Sequence, residues 1–77
     1  MPTIKTLPSC RIKIYLVDHK PPHVHVWALG HTAKLRIEDG NLIAGSLPPK
    51  TLRAARRWLA ANQDFAMQKW REIAEVE

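Results

Sequence analysis

The sequence predicts an α+β fold, a four-stranded antiparallel β-meander followed by two helices, from two patterns and one boundary between them. Apolar residues alternate with period two through the first half and recur at helical spacing through the second. The change falls at "GSLPPK", residues 45–50. The first strand, 11–17, puts Ile12, Ile14 and Leu16 on one side and Arg11, Lys13 and Tyr15 on the other. The second, about 23–29, sets Val24, Val26 and Ala28 against His23, His25, Trp27 and Leu29. The third, 32–38, sets Ala33, Leu35 and Ile37 against Lys34, Arg36 and Glu38. A two-residue loop at Gly30-His31 pairs Leu29 with Thr32, Val26 with Leu35, Val24 with Ile37 and Ala28 with Ala33. Apolar residues then meet along one face, so this register is self-consistent. Asp39-Gly40 reads as a type I′ turn that opens a fourth strand, about 41–45.

Pro48-Pro49 starts the first helix, about 49–61, with Leu52, Ala55, Trp58 and Leu59 as its apolar stripe. Asn62 is the expected N-cap of a second helix, about 63–75, with Asp64 in its first turn. There Ala66, Trp70, Ile73 and Ala74 form the buried stripe, and Gln68, Arg71, Glu72 and Glu75 stay wet. Both helices are expected on the Ile/Val/Leu face of the sheet.

A length of 77 residues predicts one domain, 1–77, with a small core. The net charge of +5 favours anionic partners such as nucleic acid, acidic lipid or an acidic protein. The single cysteine, Cys10, leaves no internal disulfide and suits a reducing compartment. "LPSC", residues 7–10, follows no apolar stretch of the kind a lipoprotein signal needs, and "IKIYLV" is too short to span a bilayer. A cytoplasmic protein without a membrane partner is expected.

The sheet's second face carries Arg11, Lys13, Tyr15, His23, His25, Trp27, Lys34 and Arg36. The predicted register sets His25 opposite Arg36 and Trp27 opposite Lys34, the latter a cation–π pair. Cations meet phosphates and rings stack on bases, so this face suits single-stranded RNA. A solvated outer face, with Trp27 shielded in a homodimer, is the plainer account. Lys50, Arg53, Arg56 and Arg57 form a second basic cluster on the first helix. It reads either as a solvated helix side or as a strip for phosphate or an acidic partner.

Residues 18–25, "DHKPPHVH", hold three of the four histidines. Side chains two apart on a strand leave on one face, which puts His23 and His25 together. Three accounts fit them. As metal ligands the pair suits zinc, with His19, Asp18 or Glu38 to complete the set; His19, His23 and His25 are the fallback trio. As an acid–base pair beside Arg36, Lys13 and Tyr15, they resemble the equipment of a metal-independent ribonuclease, with His23, His25 and Arg36 as the catalytic set. In the third and leading account they are structural, hydrogen-bonded around a corner stiffened by Pro21-Pro22 and Asp18. No cofactor is called for, zinc being the alternative. His31, in the tight turn, is expected to be exposed and idle.

The string Asp18-His19-Lys20-Pro21-Pro22-His23-Val24-His25-Val26, with Gly45-Ser46-Leu47-Pro48-Pro49 and the tryptophan-bearing helices, resembles the small prokaryotic proteins filed as domain of unknown function 4160 (DUF 4160). The resemblance runs from "MPTIK" to the Trp70 helix. Two positions depart from the family's pattern: Val24 stands where a bulkier aromatic is expected, and Trp27 where an acid is common. Members are often encoded beside a second small domain of unknown function (DUF 2442), and have been proposed as toxin–antitoxin components. The resemblance therefore implies a cognate small protein as partner, with no catalytic residues to carry over. Combined with the face above, it gives a toxin-like component that binds RNA or the translation machinery, a metal-independent ribonuclease being its catalytic form. A non-catalytic protein- or nucleic-acid-binding module using Lys50, Arg53 and Arg57, or a histidine metal domain, is the alternative.

Overall fold

The structure is a computed structural model that describes residues 3–75. Residues 1, 2, 76 and 77, which the 1–77 domain expectation includes, lie outside the described residues. The first half forms a five-stranded antiparallel sheet in chain order, β1 (Thr3–Leu7), β2 (Cys10–Lys13), β3 (His23–Ala28), β4 (His31–Arg36) and β5 (Leu42–Gly45). Two helices follow, α1 (Pro49–Ala61) and α2 (Gln63–Lys69), and a π-helical turn spans Trp70–Ala74.

The α+β meander stands as expected, but with five strands instead of four. The additional β1 joins β2 in a hairpin around Pro8-Ser9, with Leu7 opposite Cys10. Its pairing is irregular between Thr3 and Lys5, and its half-buried residues, Ile4 and Leu7, lie three apart. That irregularity erases the period-two signal from which a strand is read.

The strand expected over 11–17 ends at Lys13. Ile14 remains fully buried, but the chain then turns at Leu16-Val17, leaving these residues 62% and 70% exposed. Leu16 therefore does not join the core. This early turn brings Asp18 back toward β3.

Between β3 and β4 the register differs from the expected one by two residues. Val24 pairs with Leu35, Val26 with Ala33 and Ala28 with His31. The two-residue loop is Leu29-Gly30, because the position that takes positive φ, 74°, falls on Gly30 as the second turn residue. A slip of two keeps each side chain on its expected face. The partners change, however: His23 faces Arg36, His25 faces Lys34, and Trp27 faces Thr32. Nor is Asp39-Gly40 a type I′ turn, since Asp39 is not at positive φ. The Asp39 carboxylate instead accepts the Asn41 N–H at 2.9 Å and the Arg36 guanidinium at 2.9 Å, an Asx-type loop.

The core joins Ile12, Ile14, Val24, Val26, Leu35 and Ile37 of the sheet half to Ala55, Leu59, Ala66 and Trp70 of the helical half. Helix α1 has the expected bounds, with proline in its first turn. Asn62 does not cap α2 through its side chain; its amide donates to the Trp58 carbonyl at 2.8 Å. The expected second helix over 63–75 is α-helical only to Lys69. Beyond it, the Glu75 N–H reaches the Trp70 carbonyl at 3.1 Å, and the Trp70 indole N–H donates to the Glu75 carboxylate at 3.1 Å. This double tie between residues five apart widens the last turn into π geometry while Trp70 stays in the core. Gln63 clamps the helical layer to the sheet by donating to the Ile37 and Glu38 carbonyls. No helix among the described residues is long and apolar enough to cross a membrane.

Candidate functional site

The site grows from one corner of the chain. After β2, Ile14 anchors the connection in the core, and Val17 adopts a left-handed φ of 52°. Asp18 follows, with its carboxylate turned inward and its own Oδ1 accepting the His19 N–H at 2.8 Å. The chain then passes through a cis Lys20–Pro21 peptide into β3. His23 and His25, two apart on that strand, leave on the side facing away from Val24 and Val26.

Both histidines converge on Asp18. Its Oδ2 lies 2.8 Å from His25 Nε2 and 3.0 Å from His23 Nε2. The two imidazole rings meet edge to face, with centroids 4.9 Å apart. Tyr15 stacks on His25 at 3.8 Å and 3° between planes, and His23 leans on Trp70 at 5.2 Å. These neighbours cover the pair, leaving His23 and His25 only 5% and 9% exposed. The RNA-binding and ribonuclease accounts need an open histidine face, whereas Tyr15 and Trp70 close over this pair.

The three groups differ in their bonding. Burial holds the His25 imidazolium below the usual histidine range, with the charges of His23 and Lys34 acting in the same direction and Asp18 opposing. Burial alone would raise Asp18, but the bonds from His25 and the His19 amide, with the charges of both histidines, leave it below the ordinary carboxylate range. At neutral pH an ionised Asp18 thus accepts the Nε2–H of a neutral His25. His23 is bonded otherwise. Its Nδ1 contacts the Pro21 carbonyl at 2.7 Å, and a carbonyl only accepts, so Nδ1 carries the proton. Its Nε2 is buried without a hydrogen-bond partner among the described residues, although Asp18 Oδ2 is close by.

Beside this corner the same sheet face is open. Trp27 is 39% exposed, Lys13 Nζ sits 4.8 Å over its ring, and its indole N–H donates to the Tyr15 hydroxyl at 3.1 Å. Arg11 is exposed opposite Trp27, and Lys34 is exposed opposite His25. A shallow cleft of about 200 Å³ runs between Tyr15, His25, Trp27 and Lys34. Lys13, rather than Lys34, thus supplies the cation–π partner of Trp27. Arg36 stands across from His23 but is held by Asp39. A larger cleft of about 440 Å³ lies between the Pro21-Pro22 corner and α2, where Gln63 and Arg36 are already engaged.

Lys50, Arg53 and Arg57 are exposed on α1, and Arg56 is spent on the Gly40 carbonyl at 2.9 Å. Helix α1 packs on the Ile12/Val24 side of the sheet, so this strip and the Trp27 face look in different directions. His19 and His31 are exposed, and neither joins the Asp18 cluster. The residue that the expected trio lacked is Asp18. Of Asp18, His19 and Glu38, the fold gathers Asp18 alone with the two histidines.

The sequence model of one protein family, described as "Domain of unknown function (DUF4160)", matches residues 10–71 of the chain. The match takes in the whole Asp18–His25 corner and α1. No curated protein and no solved structure matches the chain.

Proposed function

The chain belongs to the DUF4160 family, and from that premise we propose that it is a single-stranded RNA-binding module, toxin-like in kind, whose binding surface is the outer sheet face around Trp27. The observation that carries this reading is the half-exposed Trp27 ring, braced by Tyr15 and overlaid by Lys13. A flat ring held rigidly among Arg11, Lys13 and Lys34 offers a base a stacking surface and its phosphates nearby cations. Base stacking of this kind is worth about 1–3 kcal/mol on alanine substitution.

Cleavage by a His23/His25 pair has less support. Both rings are covered, both address the same carboxylate oxygen, and Arg36 is engaged by Asp39. An acid and a base for phosphodiester transfer must instead reach two different oxygens of the substrate. The geometry therefore favours binding over chemistry.

The test is fluorescence anisotropy with a labelled single-stranded oligouridine. Trp27→Ala and the pair Lys13→Glu/Lys34→Glu are expected to weaken binding by roughly tenfold or more, while Arg53→Glu/Arg57→Glu leaves it unchanged. Absence of binding by the parent chain, or loss only in the α1 variants, would sink the reading and turn attention to a protein partner at α1. Intact RNA after incubation separates binding from cleavage. For the toxin-like role implied by the resemblance, expressing the chain alone is expected to slow growth, and Trp27→Ala to relieve it.

A further inference from the structure

We propose that Asp18, His23 and His25 form a binding site for one divalent transition-metal ion, with the two Nε2 atoms and a carboxylate oxygen as ligands. The three donor atoms lie within 4.8 Å of one another, and Asp18 Oδ2 is 3.0 and 2.8 Å from the two nitrogens. Donors bound at about 2.1 Å to one ion stand about 3.0 Å apart at right angles and about 3.4 Å apart at tetrahedral angles. The two distances to Asp18 Oδ2 are already near that spacing.

Hydrogen bonding accounts for only one of the two short contacts. His25 donates to Asp18, but His23 cannot do so in either protonation state. With Nδ1–H given to Pro21, the neutral ring turns a bare nitrogen lone pair toward a carboxylate oxygen, another acceptor. A proton on Nε2 makes no hydrogen bond to that oxygen in this geometry, so the atom stays without a hydrogen-bond partner despite the 3.0 Å separation. The His23 side chain is 6% exposed, so bulk water does not resolve the conflict. A cation between the three donors converts the repulsion into coordination.

The surroundings match what an ion needs. A backbone carbonyl accepting from the far nitrogen of a ligand histidine fixes its tautomer and ring direction, as Pro21 does for His23. Tyr15, stacked on His25, fixes the second ring. Two imidazoles and a carboxylate, without a thiolate, suit zinc and its first-row neighbours better than copper(I) or magnesium. Three protein donors leave a coordination position open on the side of Asp18, the most exposed of the three. His19 is excluded from the set by its outward position, and the register gives the place opposite His23 to Arg36, not Glu38.

The experiment is titration of the chelator-treated chain with zinc, and with cobalt(II) for its visible spectrum, in the absence of RNA. Its outcome is thereby independent of the RNA-binding reading. Expected are one ion per chain, displacement of the His23 and His25 ring signals in NMR, and a melting temperature that rises with zinc concentration. Asp18→Asn and His23→Gln, each verified as folded by its amide spectrum, should lower zinc affinity by roughly tenfold or more. His19→Gln and His31→Gln should not change it. Absence of stoichiometric binding overturns the proposal, as does binding that survives Asp18→Asn and His23→Gln or is lost in His19→Gln. Should those two ligand variants fail to fold, the ring signals of the parent chain decide: unmoved His23 and His25 resonances at saturating zinc end the idea.

Discussion

Val17 holds a left-handed φ of 52° although it is β-branched, and its side chain is 70% exposed. A non-glycine residue in this region costs about 1–2 kcal/mol, and little packing at this position offsets it. The conformation persists because Ile14 on one side and Asp18 on the other are fixed, and the chain must reverse between them. Asparagine tolerates the region far better. Val17→Asn is therefore expected to raise stability by about 1 kcal/mol, read as a higher urea midpoint with unchanged slope. A lower midpoint would mean that Val17 contributes contacts which its exposure does not suggest. None of this was legible in "YLVDHK", since Leu16 and Val17 continue the apolar run and read locally as strand. His23 and His25, by contrast, were legible as a same-face pair, because alternation along a strand is a property of the backbone alone.

At the scale of elements, α1 was fully legible, from its proline start and apolar spacing, and the register of β3 with β4 was legible only in parity. Parity follows from which residues are apolar; the choice between registers two apart depends on where the turn finds its positive φ. Strand β5 shows what such a constraint does. Gly45 has φ 78°, and a Cβ there would collide with the Thr32 carbonyl and sit 2.8 Å from the Ala33 Cα. Gly30 has φ 74° with nothing near an added Cβ. Gly30→Ala should therefore cost only the backbone preference, about 1–2 kcal/mol. Gly45→Ala should cost more, and should loosen the β4–β5 pairing. Denaturant unfolding compares the two totals, and amide exchange at Lys34 and Ala44, which face each other across β4 and β5, localises the difference. Equal costs would contradict the close approach of β5 to Thr32. The short β1 stayed invisible for the reason that its pairing is irregular and its residues largely exposed.

For the molecule as a whole, the basic residues of the Trp27 face and of the α1 strip form two patches that look in different directions. A short RNA on the Trp27 face meets Arg11, Lys13 and Lys34 but not Lys50, Arg53 and Arg57. For single strands the affinity falls with salt at a logarithmic slope of about −0.7 per neutralised phosphate, so a slope near −2 is expected. Measuring the dissociation constant at several potassium chloride concentrations checks it; a slope about twice as steep would require both patches to engage. The sequence by itself determined the α+β class, the bounds of α1, the apolar core face, and the gathering of cations, aromatics and histidines on the other face. Those follow from residue order and backbone periodicity, which are local. Only the tertiary structure decided that the two histidines are buried, that Asp18 joins them, that Arg36 turns away to Asp39, and that His23 keeps an unpartnered nitrogen. Periodicity sets the direction in which a side chain leaves the strand. What folds over it depends on the path of a connecting segment, and that path is set by contacts between residues far apart in the chain.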